Sequence, residues 1–293
     1  MKRLSNNMST KRRFNNVTIG SDPEIFLVDE QGKLKSAIGL IGGTKESPRP
    51  ISNIGHAVQE DNVLGEFNIP ASKTAKEFSD NIQFCLDWFK QALHPLQPKI
   101  MASGVFDDVE LDNPTARMAG CNPDFNAWLL NENKAPSLGK TNLRSAGGHV
   151  SVGYENPNWG TSIELIKLMD LFLGIPSVIL DRDNKRRELY GKAGCYRLKE
   201  FGFEYRTLSA FWIATDELRQ WVFNNTIAAL AYNGKNKVIQ STDYEKIQDT
   251  INKGDVKTAI KLVKKYNIPL PASVTELELE FELLPESNTT SVS

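Results

Sequence analysis

The chain has 293 residues, and its 35 Lys and Arg residues are balanced by 36 Asp and Glu residues, for a formal net charge of −1. This balance disfavours a partner held by a global basic field, so we expect no nucleic acid. Three cysteines, Cys85, Cys121 and Cys195, stand too far apart for a disulfide scaffold or a zinc knuckle, which favours a reducing cytoplasm. The basic N-terminus lacks the apolar segment of a signal peptide, and the longest apolar stretch, 163–180, is too interrupted to span a membrane.

The first third of the chain has the pattern of short strands followed by a helix. After a polar arm at 1–16, residues 17–69 alternate short apolar segments with turn signals, and Glu30-Gln31-Gly32 is typical of a hairpin connection. Residues 74–93 carry apolar side chains at helical spacing, and His94-Pro95 ends that pattern.

The middle of the chain interrupts strands with helices. The predicted elements are a short helix near 125–130, a strand at 147–154, a helix at 161–173 that Gly174 and Pro176 stop, a strand at 201–209 and a helix at 216–232. Strands come first and do not alternate with helices as βαβ units. The order predicts an α+β fold with a curved, largely antiparallel sheet and helices packed on its back.

The last sixty residues differ in amino-acid composition from the rest. We expect one main domain over 17–232 and a helical C-terminal extension over 233–284, with Lys-rich amphipathic helices at 243–252 and 255–266. The Ser- and Thr-rich tail, 285–293, offers almost nothing to bury and is expected to be disordered.

Four predicted strands share an apolar back and a polar front. Side chains alternate between the two faces of a strand. The front positions are Asp22 and Glu24 in the first strand, Glu60, Asn62, Glu66 and Asn68 in the next, His149 and Ser151 in the third, and Glu204 and Arg206 in the fourth. Asp61 competes with Glu60, but alternation sends it to the back. If all four strands belong to one sheet, its front gathers five carboxylates, one imidazole and one guanidinium.

Such a front needs a counter-charge. Crowded carboxylates raise one another's pKa unless a cation keeps them ionised. Oxygen ligands with a single His suit Mg²⁺ or Mn²⁺, and Mg²⁺ is commonly shared with substrate phosphates. The pattern therefore favours metal-assisted phosphate chemistry, although each strand alone also fits a half-exposed antiparallel strand.

Two competing motifs are weaker. Gly139-Lys140-Thr141 resembles the end of a phosphate-binding P-loop, but position 134 is Lys where that loop needs Gly. Cys121 has no histidine near it in sequence, so a small buried residue is favoured over a nucleophile.

An ordered set of seven motifs carries a family resemblance. The segments are GSDPEIF, IGGTK, QEDNVLGEFNIPA, AGCNPDFNAW, AGGHVSVGY, YGKAGCYR and FGFEYRTLSAFW, between Gly20 and Trp212. They resemble the phage-type carboxylate–amine ligases, the type 2 amidoligases, of the glutamine synthetase and glutamate–cysteine ligase superfamily. The resemblance implies a catalytic sheet of glutamine synthetase type in domain 17–232, and a host cytoplasm if the protein is phage-encoded.

The resemblance also implies cofactors and roles for residues. Glu24, Glu60 and Glu66 match ligands of a metal on the acceptor side, and Asp22, His149 and Glu204 match ligands of the metal that holds the phosphates of ATP. Arg206, Arg197 and Arg187 match cations that neutralise the transferred phosphoryl group, and Lys192 and Ser151 join Arg206 and Arg197 around the nucleotide. Asp124 is a weak candidate for amine binding, with capping of the following helix favoured instead.

The implied reaction joins a small-molecule or peptide carboxylate to an amine through an acyl phosphate, with ATP and Mg²⁺ or Mn²⁺. Two alternatives stay open, which are a non-catalytic binding or assembly module on the same sheet and an enzyme that phosphorylates a guanidino group. The general base, the two substrates and the oligomeric state remain open as well.

Overall fold

The structure is a computed structural model, and it describes residues 14–117, 124–133, 141–235, 237–275 and 279. Most of the predicted N-terminal arm, the whole predicted tail, Cys121 and the Gly139-Lys140 pair lie outside the described residues. Among those described, no helix combines the length and the apolar character that crossing a bilayer requires.

The described strands and helices follow one another in an α+β order. The strands are Thr18–Ser21 (β1), Glu24–Val28 (β2), Leu34–Lys35 (β3), Arg49–Pro50 (β4), Ala57–Asp61 (β5), Leu64–Asn68 (β6), Gln97–Lys99 (β7), Ser103–Val105 (β8), Phe125–Asn126 (β9), Asn131–Glu132 (β10), Leu143–Ser145 (β11), Val150–Gly153 (β12), Cys195–Lys199 (β13) and Gly202–Tyr205 (β14). The helices are Ala75–Ala92 (α1), Trp159–Met169 (α2), Ile175–Leu180 (α3), Lys185–Leu189 (α4), Asp216–Gly234 (α5), Tyr244–Lys253 (α6) and Val256–Tyr266 (α7).

Two larger sheets organise these strands. Sheet I has the order β1-β12-β14-β13-β9-β10, and sheet II has the order β3-β2-β6-β5-β4 with β7 also paired to β2. Strands β8 and β11 form a separate pair. Every strand pairing in the described residues is antiparallel, which confirms the predicted α+β class with a largely antiparallel arrangement.

The four polar-fronted strands do not lie in one sheet. The chain leaves sheet I after Ser21 and enters sheet II at Glu24, and Pro23 between them has no N–H to donate to either ladder. The sheets meet at this crossing, where Ser21 O accepts from Ile69 N (3.2 Å) and Gly147 O accepts from Glu24 N (2.8 Å). The front is therefore shared between two sheets that adjoin at Asp22–Glu24.

Helix α1 confirms the helix predicted at 74–93. The side chain of Thr74 accepts a hydrogen bond from Glu77 N and caps the helix. Phe78, Ile82 and Phe89 lie on one face and are completely buried. Burial of such a side chain stabilises the fold by about 1.5–3 kcal/mol.

The helix predicted at 161–173 does not stop at Gly174 and Pro176. A π-helical turn over Asp170–Gly174 leads directly into α3. Pro176 cannot donate to the carbonyl four residues before it, and Asn225 supplies the missing donor, since its Nδ2 lies 2.8 Å from Phe172 O. Pro176 is thereby accommodated inside one continuous helical segment that runs from α2 through the π-helical turn into α3.

The helix predicted near 125–130 is wrong, because these residues form the hairpin β9–β10. The Asn126 side chain accepts hydrogen bonds from the backbone N–H groups of Trp128 (2.8 Å) and Leu129 (3.0 Å). Such local side-chain bonds stabilise a turn rather than a helix.

The two C-terminal helices form as predicted. Helix α7 packs on α3, and its buried face includes Ile260 and Val263. Helix α6 buries Ile247 and Ile251 beside the same region. The domain boundaries at 232 and 284 stay predictions.

Candidate active site

The front of sheet I brings three potential metal ligands together. One ligand atom from each of Asp22, His149 and Glu204 lies within 4.8 Å of the others. His149 Nδ1 is 3.6 Å from Asp22 Oδ2 and 3.8 Å from Glu204 Oε1. Strands β1, β12 and β14 are neighbours, and their register puts Asp22, His149 and Glu204 on one face.

The chemistry of this triad fits a divalent cation. Asp22 Oδ1 is buried and has no hydrogen-bond partner in the described part of the chain, so it is an oxygen with ligand capacity to spare. Burial and the nearby Arg206 lower the pKa of His149 well below its usual value, so the imidazole is neutral, as a metal ligand must be. Burial and Asp22 raise the pKa of Glu204, but Arg206, His149 and Lys199 outweigh them and lower it.

Two cations hold Glu204 from either side. Arg206 Nη1 donates to Glu204 Oε1 and lies 3.2 Å from His149 Nδ1. Lys199 Nζ is 2.7 Å from Glu204 Oε2. The same Arg206 is 3.8 Å from Asp124 through Nε, which brings the weak amine-site candidate into the site. A phosphate oxygen entering here would meet a guanidinium and an ammonium already in place.

A second group of carboxylates comes from sheet II. Glu24 and Glu66 are direct cross-strand partners on β2 and β6, and both are buried. Glu24 accepts from Gly147 N at 2.6 Å, and Glu66 accepts from Gln59 Nε2 at 2.8 Å. Burial and the charge of Asp61 raise the pKa of Glu24 to about 8, and burial raises that of Glu66 well above its usual value. A bound cation would let both carboxylates ionise.

Asp61, not Glu60, lies with these carboxylates. Residues 62 and 63 form a tight turn with Asn62 at φ 57°, so the alternation of β5 does not continue into β6. Gln59 pairs with Glu66, which places Asp61 on the face of Glu66 and sends Glu60 to the other face. There the Glu60 carboxylate accepts from the backbone N–H groups of residues 39, 41 and 42 at 2.9–3.1 Å.

One cleft is lined by residues of both groups. Its lining comes from both sheets and the turns beside them, from β11, and from α4 with the loop after it. The lining residues are Glu24, Asp61, Asn62, Val63, Leu64, Asp124, Arg144, Ser145, Gly147, His149, Arg186, Tyr190, Gly191 and Arg206. Four of the sequence candidates, Glu24, Asp124, His149 and Arg206, therefore line one cavity.

Arg186 lines the cleft, while the predicted Arg187 faces away from it. Arg187 donates to Asn184 Oδ1 (2.8 Å) and lies near Ser177. Arg186 donates to Thr207 O (2.9 Å), and its charge acts on Glu24. Gly191 makes room for it, because a Cβ there would lie 1.8 Å from Arg186 Nη1. The sequence signal for Arg186 is this left-handed glycine.

The remaining predicted nucleotide residues, Ser151, Arg197 and Lys192, are not among the residues that line the cleft. Ser151 lies opposite Gly20 and Glu204 on the front of sheet I, and Arg197 lies opposite Glu204 on β13. Lys192 contributes its backbone carbonyl, which accepts from Thr207 Oγ1 at 3.0 Å. Their contacts with a nucleotide, like the ligand roles above, stay predictions. The sequence did not single out Arg144 and Tyr190, because neither the short strand β11 nor the short helix α4 that Tyr190 follows was predicted.

Comparisons with known proteins bear on the recognised family. The family described as Phage phiEco32-like COOH.NH2 ligase-type 2 matches residues 140–273. This match confirms the resemblance over that part of the chain, which contains His149, Glu204 and Arg206, while Asp22 and Glu24 lie before it. No curated protein sequence matches the chain.

Among solved structures, one similar chain is a bifunctional glutathione synthetase from Pasteurella multocida. The two share 9% sequence identity with a TM-score of 0.47, over 91% of this chain and 46% of the other. The chain thus spans less than half the length of that structure.

Proposed function

We propose that the protein is an ATP-dependent carboxylate–amine ligase that forms an amide through an acyl phosphate and requires Mg²⁺ or Mn²⁺. The observation that carries the proposal is the convergence of Asp22, His149 and Glu204. Of these three, His149 lines the same cleft as Arg206 and Arg186. The family match over 140–273 supports the ligase class. A sheet of glutamine synthetase type and the catalytic domain at 17–232 belong to the same proposal.

The chain's own residues would act mainly by placing charge. Asp22, His149 and Glu204 would hold one divalent cation, and Glu24, Glu66 and Asp61 a second. Such cations neutralise charge on phosphate oxygens. Arg206 and Arg186 both line the cleft and offer guanidinium donors there. Arg groups suit phosphate because their donors form a planar fork.

The proposed reaction has two displacements. A carboxylate oxygen of the acid attacks the γ-phosphorus of ATP, and the bond to ADP breaks, which leaves an acyl phosphate. The nitrogen of the amine then attacks the carbonyl carbon, phosphate leaves, and the nitrogen loses a proton. The first step needs alignment and charge neutralisation rather than a protein nucleophile.

The two alternatives receive less support. A reactive thiol for guanidino phosphorylation is not found at Cys195, because burial raises the pKa of this thiol far above its usual value. A purely structural module would gain nothing from burying Glu24 and Glu66 side by side, since their repulsion costs stability.

The test is to incubate the protein with ATP, Mg²⁺, pools of amino acids and hydroxylamine. We expect phosphate release together with a hydroxamate, which forms when hydroxylamine captures an acyl phosphate. Asp22→Asn should abolish both and weaken Mg²⁺-dependent ATP binding in calorimetry. Asp80→Asn, an exposed change on α1, is the matched control. ATP binding that does not depend on Mg²⁺ and is unchanged in Asp22→Asn would contradict the proposed role of Asp22 as a metal ligand.

A further inference from the structure

The guanidinium of Arg206 lies among the three residues proposed to hold a cation. Its Nη1 donates to Glu204 Oε1 and lies 3.2 Å from His149 Nδ1. Its positive charge also acts on Asp22, as it does on His149 and Glu204. Arg206 therefore supplies to these three residues the positive charge that a divalent cation would bring.

His149 cannot bind Arg206 and a cation at the same time. Its Nε2 packs against Gly147, where a Cβ would lie 2.4 Å from that nitrogen. Its Nδ1 is the nitrogen near the carboxylates, 3.6 Å from Asp22 Oδ2 and 3.8 Å from Glu204 Oε1. A guanidinium can only donate, so Nδ1 accepts from Arg206 and uses the single lone pair of the neutral imidazole. A cation bound to Nδ1 needs the same lone pair, and Arg206 Nη1 must then leave it.

Asp124 offers the guanidinium another acceptor. Its Oδ2 lies 3.8 Å from Arg206 Nε, an ion-pair distance that a shift of about 1 Å would turn into a hydrogen bond. Asn133 fixes this residue, because its Nδ2 donates to Asp124 Oδ1 at 2.9 Å and its backbone N–H donates to Asp124 O at 2.9 Å. The same Nδ2 lies 3.2 Å from Cys195 Sγ, and Cys195 O accepts from Arg206 N at 2.9 Å. Asn133 therefore ties Asp124 to the residue that also holds the backbone of Arg206.

We propose that Arg206 is a placeholder for the divalent cation, and that cation binding moves its guanidinium from His149 to Asp124. Asp124 and Asn133 are positioning residues in this exchange, since they act on the cation site through Arg206. The step rests on the cation of the proposed ligase function. It gives Asp124 a role other than amine binding or helix capping, and capping has no helix to serve because residues 125–132 form the hairpin β9–β10.

The test measures Mn²⁺ binding to the full chain without ATP, from the electron paramagnetic resonance signal of free Mn²⁺. Arg206→Met removes the placeholder and should bind Mn²⁺ about tenfold more tightly than wild type. A purely structural Arg206 would give the opposite result, because its loss would misplace the ligands and weaken binding. Lys199→Met is the control for charge alone, and it should gain less than about twofold. Lys199 pairs with Glu204 Oε2 at 2.7 Å and makes no hydrogen bond to His149 among the described residues.

Two variants of the second acceptor separate the exchange from a direct effect of charge. Asp124→Asn removes the charge that receives Arg206, whereas Asn133→Leu leaves every charge in place and only releases Asp124. Both should weaken Mn²⁺ binding about tenfold in the wild-type chain, as loss of a residue that orients a metal site commonly does. Both should change the affinity less than about twofold in Arg206→Met, where no guanidinium has to move. Asn131→Leu, an exposed change in the same hairpin, is the matched control.

The proposal is overturned if Arg206→Met binds Mn²⁺ no more tightly than wild type, if Lys199→Met gains as much, or if Asn133→Leu weakens binding equally in both backgrounds. Melting temperatures show which variants are folded. Where Arg206→Met unfolds, wild-type Mn²⁺ affinity in both Asp124→Asn and Asn133→Leu would overturn the proposal. Any of these results beside hydroxamate formation would refute the exchange and leave the ligase function standing. The expected Mn²⁺ affinities without any hydroxamate would support the exchange and contradict the ligase function.

Discussion

Replacing Asp170 by Asn is expected to remove a pH dependence from the stability of this protein. Asp170 begins the π-helical turn behind sheet I and is completely buried. It accepts hydrogen bonds from Trp128 Nε1 (2.6 Å), Tyr205 OH (2.8 Å) and Thr207 Oγ1 (3.3 Å). Burial raises the pKa of Asp170 from 3.8 to about 7, although these hydrogen bonds lower it.

The sign of the effect follows from where the proton is bound. Between pH 3.8 and about 7 the folded chain keeps the proton of Asp170, and the unfolded chain has lost it. The stabilisation from this proton is therefore greatest at low pH and is lost as the pH rises towards 7. Each pKa unit corresponds to 1.36 kcal/mol, so a shift of about three units predicts a loss of roughly 2–3 kcal/mol between about pH 5 and pH 8.

Urea unfolding at both pH values measures this loss. Other buried carboxylates titrate in the same range, so the informative quantity is the difference in unfolding free energy between wild type and Asp170→Asn. We expect wild type to have the higher unfolding free energy at pH 5, and we expect its difference from Asp170→Asn to shrink by about 2–3 kcal/mol at pH 8. Asp87 is exposed on α1, and Asp87→Asn should differ from wild type by the same unfolding free energy at both pH values. An equal difference for Asp170→Asn at the two pH values would refute the reasoning.

Three further predictions concern the site and the chain ends. Gly191→Ala puts a Cβ 1.8 Å from Arg186 Nη1 and should abolish phosphate release, whereas Gly32→Ala has similar backbone strain with no atom within 4 Å and should cost only about 1 kcal/mol of stability. Equal behaviour of the two variants would show that Arg186 is not displaced. Arg206→Lys should lower turnover by roughly 100-fold with little change in melting temperature, since charge is kept and the fork is lost. Arg49→Lys is its control, and near-normal turnover would return Arg206 to a structural role. Removal of 286–293 should leave ATP binding intact, whereas a cut at 233 should lower the melting temperature because α3 loses the cover that α7 provides. Loss of ATP binding on removal of 286–293 alone would place the tail in the site.

The helices were predictable because their signals are local. Thr74 and Thr215 cap α1 and α5, and apolar spacing defines the buried faces. The hairpin at Gly32 is also local, since it depends on one left-handed residue. The π-helical turn could not be predicted from local signals. Pro176 fits into the helix because Asn225, which lies far along the chain, donates a hydrogen bond to Phe172 O.

The site was only partly predictable, for two geometric reasons. The prediction assumed that side chains keep alternating between faces through the turn at Asn62. That assumption placed Glu60, instead of Asp61, on the face of Glu66. Neighbouring positions of a helix point in different directions, so Arg187 could be preferred over Arg186 without knowledge of the loop that Gly191 opens. His149, Glu204 and Arg206 needed only strand alternation, and the structure brings them together.

The crossing at Ser21–Glu24 limits how this chain can change over time. Asp22 faces the cluster of sheet I and Glu24 that of sheet II, with Pro23 as the single spacer between them. Insertion or deletion of one residue here would turn one carboxylate away from its cluster while leaving both in the sequence. A substitution of the spacer residue leaves the spacing of the two acids unchanged, whereas a change in the spacer's length does not. We therefore expect related chains that keep both acids to keep one residue between them.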